Sequence, residues 1–138
     1  MKTSFILLLC FTIIGCQTNR TVNGEREGLW IEQNKIGDKT YKSRGRYYKG
    51  FERKTWKYYE NGQLVKKEVY KDSVCYVTHF KNKKKSLEGK TKMRYEGKDL
   101  HWFYTGDWIE YDSLGKPVVQ RIYHNGVLIG EKSLSDAP

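Results

Sequence analysis

Side chains able to do chemistry are few in this chain, and they are scattered. Histidine occurs at His79, His101 and His124. A zinc site draws on Cys or His pairs about two to four residues apart. No such pair exists, so no metal and no cofactor is expected. Cys75 and His79 suggest a nucleophile with its base. Four residues apart on a strand, they share a face with α-carbons about 13 Å apart. A catalytic pair needs about 3 Å between reacting atoms. Cys75 therefore reads as a small buried hydrophobe and the histidines as packing or solvated groups. Asp107, Glu110 and Asp112 cluster around Trp108. Paired carboxylates beside aromatics are the chemistry of glycoside hydrolysis, which makes an envelope hydrolase one reading of that segment. No Gly-rich phosphate loop and no serine elbow is present, so no catalytic residue is assigned.

Charge is the stronger signal. The 138 residues carry a formal +10, which becomes +9 once Lys2 is discounted with the leader described below. Such a balance favours anionic partners. Lys81, Lys83, Lys84 and Lys85 form the densest cluster. The cluster reads as a solvated hairpin tip or as a contact for an anionic surface, where each basic residue contributes about 1 kcal/mol. Basic residues interleaved with aromatics also suit nucleic acid. An exported protein seldom meets nucleic acid, so none is expected as a partner.

Export is read from the N-terminus. Lys2 is followed by Phe5–Ile14, apolar except for Thr12. That stretch is too short to span a bilayer, which takes about 20 residues, and it suits a secretory leader. The leader ends Ile13-Ile14-Gly15-Cys16, which resembles the bacterial lipobox. The resemblance implies cleavage between Gly15 and Cys16, a diacylglycerol thioether on Cys16 and an acyl chain on its new amino group. Two or three chains anchor a protein stably where one does not. Gln17 is not the aspartate that, in enterobacteria-like cells, retains lipoproteins at the inner membrane. The resemblance thus implies a membrane lipid anchor, at the outer membrane where the cell has one, facing periplasm or surface. Cys10 leaves with the leader and Cys16 is lipidated, so Cys75 stands alone and no internal disulfide is expected.

The body must hold these residues on strands. Thr55–Gly62, TWKYYENG, is a β-prone aromatic run closed by Asn-Gly, the pair that a type I′ hairpin turn requires. Turn residues recur every 8–12 residues or so, from Gly37-Asp38 to Asn125-Gly126, and no helical period appears, which predicts an all-β fold. Expected strands include Lys39–Tyr48, Leu64–Lys71, Val74–Lys81, Thr91–Tyr95, Leu100–Tyr104 and Asp107–Tyr111. Trp30 and Trp56 lie 26 residues apart, and Trp56 and Trp108 lie 52 apart, twice that interval. Fixed spacing marks a repeat architecture. The middle tryptophan would fall at position 82, where Asn82 stands, so the central unit is degenerate.

Gly28-Leu29-Trp30, Trp56/Tyr59 with Asn61-Gly62, and Trp108/Tyr111 resemble the variant MORN repeat, a Gly-x-Trp-x-x-Tyr-x-x-Asn-Gly hairpin found in bacterial proteins, some of them antitoxin-like. The resemblance covers about residues 24–130. It implies an antiparallel meander of successive hairpins in an elongated, twisted sheet, with no catalytic residues. The expected organisation is a signal peptide at 1–15, lipidated Cys16 with a tether at 16–23, the β-repeat domain at 24–132 and a tail at 133–138. The expected function is a non-enzymatic, lipid-anchored envelope protein whose sheet binds another protein or an envelope polymer. Trp30, Trp56, Tyr59, Trp108 and Tyr111 are its candidate binding face, or else its core. Family analogy adds a second reading, an immunity or antitoxin-like protein acting on an envelope toxin.

Overall fold

The computed structural model describes residues 17–135. The leader and Cys16 lie outside the described residues. Ten strands run in chain order: β1 (Arg20–Val22), β2 (Glu25–Ile36), β3 (Lys39–Tyr48), β4 (Phe51–Glu60), β5 (Gln63–Lys71), β6 (Val74–Lys81), β7 (Lys84–Glu96), β8 (Asp99–Tyr111), β9 (Pro117–His124) and β10 (Val127–Ser133). They form one open sheet in which each strand pairs antiparallel with its chain neighbours, so the fold is an all-β meander.

Turn chemistry produces that order. Every connection except the one from β8 to β9 is a two-residue turn. Asn23-Gly24, Lys49-Gly50, Asn61-Gly62 and Asn125-Gly126 each have positive φ at both residues, the conformation that fits a hairpin's twist. The five-residue link after β8 is built on Asp112, whose carboxylate accepts from the backbone N–H groups of Leu114 and Lys116.

Several boundaries differ from those expected. The segment expected as a tether contains β1, which pairs Arg20–Val22 with Glu25–Glu27 through the Asn23-Gly24 turn. A polar, exposed strand has no alternating pattern to reveal it. Thr91–Tyr95 is part of the much longer β7. The two runs expected at Leu100–Tyr104 and Asp107–Tyr111 are one strand, β8, which continues through Gly106 at φ +64°. The sheet also extends to Ser133, whose successor Leu134 donates to the Val118 carbonyl.

One face of the sheet, the inner face, carries the core. A single row crosses it: Trp30 opposite Gly45, Trp56 opposite Glu68, Glu68 opposite Val77, Val77 opposite Gly89, and Trp108 opposite Arg121. Trp56 and Trp108 are each only 2% exposed. Their indoles lie on the bare backbones of Gly45 and Gly89, where an added Cβ would come within 1.9 and 2.2 Å of ring carbons. Each indole N–H donates at 3.2 Å to the carbonyl one residue past its glycine, Arg46 or Lys90. The row also corrects the repeat. Asn82 is a turn residue with φ +50°. Val77, opposite Glu68, occupies the row where the middle tryptophan was expected. A positive φ stands two residues before each tryptophan of the row, at Gly28, Lys54 and Gly106.

Two expectations follow for denaturation in urea. Gly89→Ala drives a methyl into Trp108, and overpacking of this kind costs about 3 kcal/mol. Lys54→Gly relieves a left-handed lysine and gains about 1 kcal/mol. A neutral result for the first, or a loss for the second, would contradict the packing described.

Candidate functional site

The five aromatics expected to share one face do not. Residues three apart on a strand point to opposite sides, and the Trp-x-x-Tyr pairs obey this. Trp30, Trp56 and Trp108 lie on the inner face, while Tyr59, opposite Lys42, and Tyr111 lie on the outer one. Trp56 and Trp108 are core and cannot present a binding surface without unfolding. Trp30 is half-buried. Its edge meets Tyr47 at a ring distance of 5.6 Å, and the Arg26 guanidinium covers it at 4.6 Å. Tyr111 donates to Glu88, and Lys85 lies over its ring at 5.1 Å.

The lysine cluster also divides. Lys81 and Lys83 are exposed at the β6–β7 tip. Lys84 donates to the Ser113 carbonyl at 2.9 Å, and Lys85 pairs with Glu88 at 2.7 Å. The latter two are therefore engaged in tying the tip to the β8–β9 link and to β7.

The inner face holds one dense polar cluster, between the two tryptophans. The Glu68 carboxylate accepts from Tyr58 at 2.7 Å, Tyr70 at 2.9 Å and Lys66 at 2.9 Å. Tyr58 stacks on Trp56, and Tyr70 meets Trp102 edge-on. Glu68 thus joins the two aromatic clusters where the repeat lacks its tryptophan. Burial works to raise the Glu68 pKa, but Lys66 and the two phenols outweigh it and hold the carboxyl below its ordinary value. Burial and the Glu68 charge push both phenols upward.

Cys75 stands beside this cluster, opposite Tyr70. Burial, then Glu68, pushes its thiol up to about 11, so it is protonated at neutral pH and a poor nucleophile. His79 is five positions along the unbroken β6, counted inclusively, opposite Lys66 and Leu87. Burial, then Lys66, lowers its pKa. No direct Cys–His pair forms. The three carboxylates near Trp108 separate likewise. Asp107 is exposed opposite Ile122, Glu110 pairs with Arg121 at 2.9 Å, and Asp112 caps its turn. Nothing in this arrangement flanks a scissile bond. Among the described residues, no three His, Cys, Asp or Glu side chains converge as a metal site would need.

What the sequence reading missed is on the outer face of β3–β5, where Arg44, Arg46, Arg53, Lys57 and Lys67 stand together. Part of the signal was available as period-2 alternation of Lys42, Arg44 and Arg46 with Ser43 and Gly45. It becomes a patch only when the register of three strands is known. Comparison with family models, characterised proteins and solved structures found no match to this chain.

The Glu68 cluster sets a pH dependence. Because its folded pKa lies below the ordinary 4.5, its contribution is complete above that value and is lost as pH falls through the folded pKa. Glu68→Gln is expected to cost about 2–3 kcal/mol at neutral pH and to flatten the acid limb of a urea-derived stability curve. An unchanged acid limb would exclude Glu68 as its source.

Proposed function

We propose that this chain is a non-enzymatic, lipid-anchored protein of the bacterial cell envelope whose one-layer sheet binds another protein or an envelope component. The observation that carries the reading is positional. The first strand begins at Arg20, four residues beyond the lipobox cysteine. Four extended residues span at most about 14 Å. An acylated Cys16 therefore holds the sheet itself against the bilayer, with no spacer between anchor and fold.

The chemistry of the described residues supports a binding role over a reaction. Cys75 is held as a thiol, His79 is packed, Glu68 is saturated by three donors, and Asp112 and Glu110 have structural partners. What remains free is surface, above all the basic outer face. Attachment at the outer membrane where the cell has one, facing periplasm or surface, is read from Gln17 and belongs to the same proposal.

The test is metabolic labelling with a fatty-acid analogue, palmitate among them, in a bacterial host that processes lipoproteins. The natural chain is expected to label and to lose its leader. Cys16→Ser is expected to do neither at that site. Labelling or membrane fractionation that survives the substitution would remove the anchor. A cross-linked pull-down of the anchored protein then reads the partner. An envelope-acting toxin in near-stoichiometric amount would replace the adaptor reading with an immunity role.

A further inference from the structure

The outer face of β3, β4 and β5 carries a charge arrangement that the fold does not need. Arg46 stands directly opposite Arg53. Arg44 stands opposite Lys57, which in turn stands opposite Lys67. Like charges directly opposite on neighbouring strands destabilise a sheet. Among the described residues, none of these five side chains has an ion pair, since every salt bridge is made elsewhere. The carboxylates that could neutralise them point the other way. Glu52, opposite Tyr47, and Glu68, opposite Trp56, are on the inner face.

The outer face is also not flat. A cleft of about 480 Å³ opens among Leu29, Arg44, Arg46, Lys54, Lys57 and Tyr59. Four cations, a phenol, the Thr55 hydroxyl and an aliphatic side chain line it, with no carboxylate. Tyr48 and Tyr76 are exposed, and the register puts both on the same face.

We propose that this cleft seats an acidic segment of a protein partner. Guanidinium forks match carboxylates bidentately, which a lysine carpet does not. Arg and Tyr are the residues that most often carry binding energy at protein interfaces. A concave cleft admits a protruding Glu or Asp side chain, whereas a plane of lipid headgroups has nothing to insert. Leu29 and Tyr59 cover the methylenes of the inserted side chain, and Tyr48 and Tyr76 extend the contact. The missing charge on this face is thus supplied by the partner. This deepens the binding-module reading above by naming the partner's chemistry and rests on it for biological context.

The full chain in neutral detergent is titrated against a fluorescein-labelled Glu-Tyr copolymer, read by anisotropy. One variant combines Arg44→Ser, Arg46→Ser and Lys57→Ser. A control removes the same charge elsewhere, with Lys81→Ser, Lys83→Ser and Lys98→Ser. The site variant is expected to bind about tenfold more weakly or worse, the loss of one or two charge-assisted hydrogen bonds. The control is expected to change less than about twofold. Equal losses in both would mean net charge alone and would overturn the proposal, as would no binding by the natural chain. Displacement of the copolymer by glycerophosphate at equal charge would mean a phosphate surface and would overturn it too. Without the ligand, the site variant is expected to melt at or above the natural chain's temperature. A clear drop would mean that these cations hold the sheet together, and the proposal would fail. The assay uses no membrane, so its failure leaves the anchoring reading standing, and a failed labelling experiment leaves this one standing.

Discussion

The sheet depends on tryptophan lying flat on glycine. A one-layer sheet has no second layer to close its core, so apolar surface must be buried against the sheet's own backbone. Trp56 over Gly45 and Trp108 over Gly89 do this, and each indole N–H ends on a carbonyl of the strand it covers. The surrounding rings extend the cover sideways. Tyr47 meets Trp56 at 4.9 Å, and Tyr104 stacks on Trp108 at 4.1 Å. A glycine inside a strand normally weakens it, for want of a side chain to pack. Here that absence is the space in which the core exists.

The same constraint sorts the charges. With one face committed to aromatic burial, carboxylates that can accept from phenols are useful there, and Glu68 bridges the two tryptophan clusters through Tyr58 and Tyr70. Arg44, Arg46, Lys57 and Lys67 are left on the other face, where long side chains stay solvated and discourage sheet edges from pairing. The chain's formal +10 is therefore not spread evenly. Among the described residues, cations without an ion pair stand opposite one another on the outer face of β3–β5, while in the second half Glu88, Glu110 and Glu131 find basic partners.

Much of the fold was legible because it is local. Two-residue turns at Asn-Gly and alternating aromatics set the order of hairpins, and nothing distant had to be guessed. The tryptophan spacing correctly marked the repeat, but it misplaced the central unit. β7 and β8 are longer than their counterparts, and the inner row meets β6 at Val77 rather than near Asn82. β1 escaped because an exposed three-residue strand leaves no pattern. Gly45 carried a readable signal, being a lone glycine inside the run Lys39–Tyr48, a mark of close approach, whereas Gly89 lay outside the expected runs. Which residues share a surface was not legible. That depends on register between strands, which brought Arg44, Arg46, Arg53 and Lys57 together, whereas the turning of Tyr59 and Tyr111 away from the tryptophans follows from period 2 within one strand.

Each strand pairs only with the strands before and after it in the chain. Under tension this topology behaves as a zip. A load entering at the N-terminal end acts on β1, whose three-residue pairing with β2 is the shortest in the sheet, and opens its hydrogen bonds one after another instead of shearing many at once. The first firm stop is the Arg26–Trp30–Tyr47 stack, and the next is Trp56 on Gly45. Extension therefore proceeds in hairpin-sized steps at low force, and each released hairpin can close again on the edge it left. A protein built this way yields gradually to pulling and recovers its length when the pull ends.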